Sequence, residues 1–258
     1  MSGHPAQKEI IGIVGGMGPF AHLDFERKLL DSARELVGAT HDQDYPEWLL
    51  SSVPSTPDRT LAYIGDGDDP APFLERSLLR LQGAADFAVI TCNTAHLFLD
   101  KLDAKITIPI VSMIETTVRS IAAKDSGVRV GILATTGTLQ SRLYHEALRD
   151  HGLEPFSPLD LEGGESKQLK LIMEPIYGLY ENGKQKGGGI KSAKITDDQT
   201  RKMELVSAEL VEAFQVEALI AGCTEIPLAL RGSEVCGVRL IDPAKVLADA
   251  AIRRAYGL

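Results

Sequence analysis

The sequence is short of cysteine, of positive charge and of long apolar runs. It has three cysteines in 258 residues: Cys92, Cys223 and Cys236. That number is odd and sparse. It excludes a disulfide framework and suggests a reducing compartment, where each thiol is buried filler or a reactive group. Lys and Arg total 27 against 36 Asp and Glu, a net charge of −9. Nucleic acid and an anionic membrane surface are therefore poor partners on electrostatic grounds. No run of about 20 apolar residues offers a bilayer span. The stretch Met1 to Glu9 is polar, with no apolar core for a signal peptide. The expectation is a soluble, cytoplasmic protein. What is present is an apolar fraction of 44%, too high for a disordered chain. The length suits one large domain or two smaller ones.

Short apolar runs alternate with helical patterns. Strands are expected at Ile10–Val14, Trp48–Val53, Asp86–Thr91 and Ile108–Val111. Between them, Phe20–Val37, Pro72–Gly83, Thr94–Ala104 and Ile114–Ala123 read as helices. The pattern then restarts with a strand at Val128–Leu133 and a helix at Leu139–His151. Helices follow at Lys167–Glu181 and Asp198–Phe214, strands at Glu217–Gly222 and Val238–Ile241, and a last helix at Pro243–Ala255. Such alternation predicts an α/β fold with mainly parallel sheets covered by helices.

The two halves echo each other. Gly12-Ile-Val14 before a small-residue turn is matched by Gly131-Ile-Leu133 before Ala-Thr-Thr-Gly137. Ala88-Val-Ile-Thr-Cys-Asn-Thr94 is matched by Leu219-Ile-Ala-Gly-Cys-Thr224. A duplicated unit with one longer loop produces this pattern, and so does chance likeness between two α/β units. The segment Gly183–Lys194 is basic and Gly-rich. It reads as a surface loop or as a lid over an anionic ligand, and its glycines do not fit a P-loop.

The cysteines of the echo carry the chemistry. Cys92 and Cys223 each end an apolar strand and precede Asn-Thr or Thr and then a helical stretch. That places each thiol at the C-terminal edge of a parallel sheet, where ligands bind, near a helix N-terminus expected to lower its pKa. Each alone also fits buried filler, whereas two at matched positions favour a functional pair. Cys236 lacks that context and is assigned to structure. Two thiols beside one cleft either form a disulfide or work on a substrate held between them. In the second case one thiolate removes a proton from a carbon and the other thiol returns one to the opposite face.

Several motifs then combine: Gly15-Gly-Met-Gly-Pro19, Pro54-Ser-Thr-Pro-Asp-Arg-Thr60, Cys92-Asn-Thr-Ala-His96, Leu133-Ala-Thr-Thr-Gly-Thr138, Gly222-Cys-Thr-Glu-Ile-Pro227 and Ile241-Asp-Pro243. Together, from about Ile10 to Arg253, they resemble the aspartate/glutamate racemase family, and Pro-Asp-Arg-Thr points to its aspartate branch. The resemblance implies a cofactor-independent, PLP-independent amino-acid racemase, an isomerase working as a homodimer on a small-molecule substrate, aspartate or glutamate and possibly other amino acids. Its fold would be two similar α/β lobes related by pseudo-twofold duplication. Residues 1–116 with 236–258 would form one lobe and 117–235 the other. Cys92 and Cys223 would be the acid/base residues. Met17, Asn93, Thr94 and Thr224 would line or hold the substrate, Arg59 would pair with a carboxylate, and Thr135, Thr136 and Thr138 would close the site.

The residues read independently leave other roles open. Arg59 also suits a surface ion pair, Asn93 and Thr94 suit turn and cap positions, and Glu225 either tunes Cys223 or favours a helix start. His96 is read as structural. Where aspartate-specific relatives often carry a substrate-binding Lys, this chain has Glu181, with Lys184 three residues on. Glu181 would repel a dicarboxylate and suit a neutral or cationic side chain. Gly16-Met-Gly-Pro-Phe-Ala21 formally fits dinucleotide spacing, but Pro19 is unusual there and no acidic strand end follows. Asp66-Gly-Asp-Asp69 reads as a polar turn. No His/Cys cluster has zinc spacing. Two positioned thiols make a PLP-binding lysine unnecessary. A hydantoin or dicarboxylate isomerase and a non-catalytic amino-acid-binding protein stand as alternatives.

Overall fold

Ile11–Gly15 (β1) is buried at every position, as a strand covered on both faces must be. In the computed structural model, which describes residues 6–124, 127–181, 184–185 and 188–258, β1 pairs in parallel with Trp48–Ser52 (β2) and Phe87–Ile90 (β3). β3 pairs in parallel with Ile110–Val111 (β4), so the sheet order is β2-β1-β3-β4. Alternate strand residues face opposite sides. Ile11, Ile13, Phe87 and Val89 pack with Phe25 and Leu29 of helix α1 (Pro19–Val37) and with Leu247 and Ile252 of the terminal helix Pro243–Tyr256. Val14, Ala88 and Ile90 face the other way. They meet Leu74 and Leu78 of α3 (Ala71–Leu81), which follows the short α2 (Arg59–Ile64), and Ala95 and Phe98 of a 3₁₀ helix, Thr94–Lys101. α1 begins with Pro at its first turn and stops at Gly38 in the left-handed region. Trp48 donates its indole N–H to Glu26 of α1 at 2.9 Å.

The chain leaves this unit along α4 (Met113–Ala122). The second unit repeats the plan. Its strands are Arg129–Leu133 (β5), Glu154–Phe156 (β6), Ala218–Ala221 (β9), Glu234–Val235 (β10) and Val238–Ile241 (β11), with Tyr180–Glu181 (β7) and Lys184–Gln185 (β8) forming a separate antiparallel pair. The sheet order is β10-β11-β9-β5-β6. Read from β6, the sequence β6-β5-β9-β11 is parallel throughout and matches β2-β1-β3-β4. The registers match as well: Gly12 lies opposite Ala88 in one unit, and Gly131 lies opposite Leu219 in the other. The sequence echo is therefore an echo of strand order and register. Helices of this unit are α5 (Thr136–Gln140), α6 (Leu143–Asp150), α7 (Gly164–Lys167), a π-helical segment Gln168–Met173, α8 (Glu174–Tyr177), α9 (Asp197–Phe214) and α10 (Ile226–Ala229). A capping box between Thr196 and Gln199 starts α9. Its Met203, Val206 and Leu210 pack on Leu219 and Leu133.

The first unit is built from the chain up to Thr116 and again from Ala244, the second from Thr117 to Pro243. The expected return at residue 236 is thus too early. Leu240 of β11 pairs with Leu219 of β9, which keeps that strand in the second sheet. The terminal helix is tied to the first unit by backbone and ion pairs. Lys8 N–H donates to Ala255 O at 2.7 Å, Arg254 meets Glu9 at 2.8 Å and Lys245 meets Glu35 at 2.7 Å. Among the described residues, no helix is long and apolar enough to cross a membrane.

Candidate active site

Ligands of open α/β sheets bind beyond the carboxyl ends of the strands. In the first unit β1 runs into Gly15-Gly16. Gly16 has φ +92°, and a Cβ on it would lie 2.6 Å from the Val53 nitrogen. Only glycine lets this turn pass so close to the loop after β2. The Gly16 N–H donates to Nδ1 of His22 at 3.0 Å, which leaves the ring proton on Nε2. Burial lowers the His22 pKa. Arg59 ties the same two loops together. Asp58 caps α2 by accepting from Thr60 and Leu61 N–H groups. The buried Arg59 guanidinium then donates to Met17 O at 2.7 Å and to Pro57 O at 3.0 Å.

Cys92 lies two residues beyond β3, buried in one apolar cluster with Met17 and Ala95. Asn93 and Thr94 follow, both buried. His96 braces this loop. Its Nε2 accepts from the Met113 N–H at 3.1 Å, so Nδ1 carries the proton and donates to Cys92 O at 3.0 Å. Burial lowers its pKa, which suits a neutral ring in the structural role expected of it.

In the second unit Cys223 lies two residues beyond β9, the matching place. Gly222 precedes it because the strand end crowds β5. Its N–H donates to Leu133 O at 2.7 Å, and a Cβ would stand 3.0 Å from that of Ala134. The Cys223 thiol donates to Glu225 Oε2 at 3.0 Å, and so does the Thr224 hydroxyl at 3.2 Å. Lys191 Nζ donates to Glu225 Oε1 at 3.3 Å. Burial, and then the Glu225 charge, push the Cys223 thiol well above its usual range, with Lys191 opposing. This corrects the expectation of a pKa lowered by a helix end. The helix that follows, α10, has only four residues, and a buried carboxylate sits closer.

The threonine loop after β5 is held from the π-helical segment. Gln168 donates to Ala134 O at 2.9 Å, and the Thr136 N–H donates to Met173 Sδ at 3.3 Å. The wider π turn brings these two residues, five apart, to one loop. Thr135 and Thr138 share a hydroxyl hydrogen bond of 3.3 Å. Thr138 exposes no surface, which makes it a brace of the loop.

Met17, Arg59, Cys92, Asn93 and Thr94 thus gather at the strand ends of the first sheet. Thr135, Thr136, Cys223 and Thr224 gather at those of the second. Glu181 and Lys184 are backbone partners in the β7–β8 pair, and their side chains lie outside the described residues. Sequence reasoning missed Lys191, Gln168, Met173 and His22. The basic segment around Lys191 was a signal, but nothing in it singled out one lysine. A 3.6-residue pattern gives no sign of a π turn. Among the described residues, no three or more His, Cys, Asp or Glu side chains come together as a metal site.

Comparison with known proteins adds the family. A model of the Asp/Glu/hydantoin racemase family matches residues 14–251. The broad specificity amino-acid racemase RacX of Bacillus subtilis is 31% identical over 168 residues, covering 65% of this chain and 73% of that one. The glutamate racemase of Limosilactobacillus fermentum is 29% identical over 161 residues, 61% of this chain and 52% of its own length, so the chain spans about half of that relative. The solved structure of Picrophilus torridus aspartate racemase superposes with a TM-score of 0.74 at 25% identity, over 96% of this chain and 94% of that one. Two sheets whose four parallel strands match in order, each with a buried cysteine just past its third parallel strand, agree with a family match across nearly the whole chain: the protein belongs to the Asp/Glu/hydantoin racemase family.

Proposed function

We propose that the protein is a PLP-independent amino-acid racemase that interconverts L and D enantiomers by moving the α-proton between two thiols. Inversion at a stereocentre needs one group to take a proton from one face and another to deliver one to the opposite face. Cys92 and Cys223 are those groups in this reading. In one direction a thiolate takes the α-proton and becomes a thiol, and the other thiol protonates the carbanion and becomes a thiolate. The reverse direction exchanges the roles, so atoms and charge balance. The observation that carries the reading is the buried cysteine two residues beyond β3, repeated two residues beyond β9. Asn93, Thr94 and Thr224 supply hydrogen bonds to the substrate's carboxylate or amine. Arg59 supplies positive charge that attracts a carboxylate and steadies the developing carbanion.

Aspartate or glutamate is the first substrate class we propose. A wider range is the second reading, supported by the printed name of the RacX relative and by Glu181 at a position where a lysine would favour a dicarboxylate. The test is a panel of L-amino acids, with a 5-substituted hydantoin included, incubated in deuterated water and read by chiral chromatography and NMR. The expected result is D-product carrying deuterium at Cα from L-aspartate or L-glutamate. Turnover of the hydantoin alone shifts the reading to a sister activity. Binding of an amino acid with no α-exchange in the whole panel refutes catalysis.

A further inference from the structure

The turn after β1 is held at three backbone atoms, and one of the holders titrates. Gly15 O accepts from the Val53 N–H at 3.2 Å, Met17 O accepts from Arg59 at 2.7 Å, and the Gly16 N–H donates to His22 Nδ1 at 3.0 Å. An amide and a guanidinium keep their protons at any ordinary pH, and an imidazole does not. A backbone N–H can only donate, so Nδ1 is the bare nitrogen of a neutral ring. A protonated ring donates from both nitrogens and would set one N–H against another at Gly16. His22 is buried and is the fourth residue of α1. Its ring covers Gly15. A Cβ there would stand 3.0 Å from His22 Cγ and 3.0 Å from Leu50 Cδ1, so the missing side chain is what lets the ring reach the turn.

We propose that His22 is a positioning residue for Arg59: its neutral ring holds the Gly15–Met17 turn in the form whose Met17 carbonyl fixes the guanidinium, and protonation of the ring weakens the binding of a carboxylate substrate. The link is short. Losing the Gly16 contact loosens Met17, the next residue, whose carbonyl is the 2.7 Å partner of the guanidinium. Among the described residues, Glu26 of α1 is the charged group that acts on the ring. From β1 and β2 the ring meets Gly15, Gly16 and Leu50, none of which ionises. Burial outweighs Glu26 and lowers the His22 pKa. The ring is therefore neutral at about pH 7, and its protonation falls below the ordinary histidine value of about 6.5. The inference rests on the racemase reading for its claim that Arg59 meets substrate. The dependence of the turn on His22 stands without it.

The test compares His22→Asn and His22→Leu with wild type in the full-length protein. The Asn side-chain oxygen takes the place of Nδ1 and accepts at every pH, whereas Leu cannot accept. With L-aspartate or another carboxylate substrate found above, His22→Leu is expected to raise KM about tenfold with kcat nearly unchanged, and His22→Asn to stay within about twofold of wild type. On acidification from about pH 7.5 to about pH 5.5, KM of wild type rises about fivefold more than KM of His22→Asn. The thiols and the other histidines are common to both proteins, so the difference reports His22 alone. Amide hydrogen exchange followed by NMR reads the turn without substrate. The Gly16 N–H is protected in wild type and His22→Asn, and exchanges about tenfold faster or more in His22→Leu. Equal pH dependence of KM in wild type and His22→Asn overturns the inference. So does a Gly16 N–H that exchanges alike in all three proteins, or a His22→Asn variant with the KM of His22→Leu. Should His22→Leu fail to fold, the comparison of wild type with His22→Asn across pH decides. Loss of Gly16 protection in a protein that racemises nothing sinks the racemase reading and leaves the brace on the turn. Racemisation with a KM that ignores His22→Leu sinks the inference alone.

Discussion

Cys92 and Cys223 occupy the same place in two sheets and have unlike neighbours. Each sits two residues past the third strand of a matching parallel order, with a glycine-bearing strand beside it. Cys92 lies in an apolar cluster, and a neutral histidine holds its backbone carbonyl. Cys223 gives its thiol hydrogen to a carboxylate that is itself paired with a lysine. The backbone placement is thus the same in both halves, while the groups around the two cysteines differ.

Several changes break or sharpen that comparison. The largest effect is expected from Cys92→Ala and Cys223→Ala, each lowering racemisation by about 10³-fold or more. In deuterated water each variant retains α-exchange on one enantiomer only, and the two variants retain it on opposite enantiomers. Exchange of the same enantiomer by both removes the division of labour between the thiols. Next comes the pair of glycines. Gly16→Ala puts a Cβ against backbone in a left-handed conformation and costs about 3 kcal/mol in urea unfolding. Gly222→Ala meets side-chain and carbonyl atoms at 3.0–3.3 Å and costs about 1 kcal/mol. Equal losses contradict the contact distances.

His96→Phe removes the brace on the Cys92 loop and is expected to cost about 2 kcal/mol, leaving Met113 N–H without its ring acceptor. The smallest effect is on pH dependence. Burial lowers the pKa of His22, His96 and His145, the last to about 4. The unfolded chain protonates these rings at about 6.5. Between those values it binds more protons than the folded chain, so stability falls as pH drops through that window. Urea midpoints at neutral pH and at about pH 5 measure the fall, and His145→Gln reduces it.

Regular strands and their turns are legible in the sequence because their signals are local. Val238–Ile241 has the expected bounds, and Ile11–Gly15 and Ala218–Ala221 differ by a residue or two at their ends. Helix interruptions are not, because an apolar 3.6-residue pattern runs across them. Leu139–His151 reads as one helix, yet Arg142 at φ +60° divides it into α5 and α6. Lys167–Glu181 also reads as one helix. It winds as α, π and α turns before Gly178, at φ +95°, ends it ahead of β7. The helix expected at Thr94–Ala104 starts at Thr94 but tightens to 3₁₀ and ends at Lys101. The placement of both cysteines just past matched strand ends is legible from the repeat. Lys191 is not, because its partner Glu225 lies 34 residues away and only tertiary packing brings them together.

The chain contains one tryptophan, and it sits on the edge strand β2 with its indole bonded to α1. Its fluorescence is therefore a natural dye for the first unit alone. Denaturation followed by that emission and by backbone ellipticity separates the melting of one half from the melting of the whole. A protein poor in aromatics thus carries a domain-specific optical probe without any label.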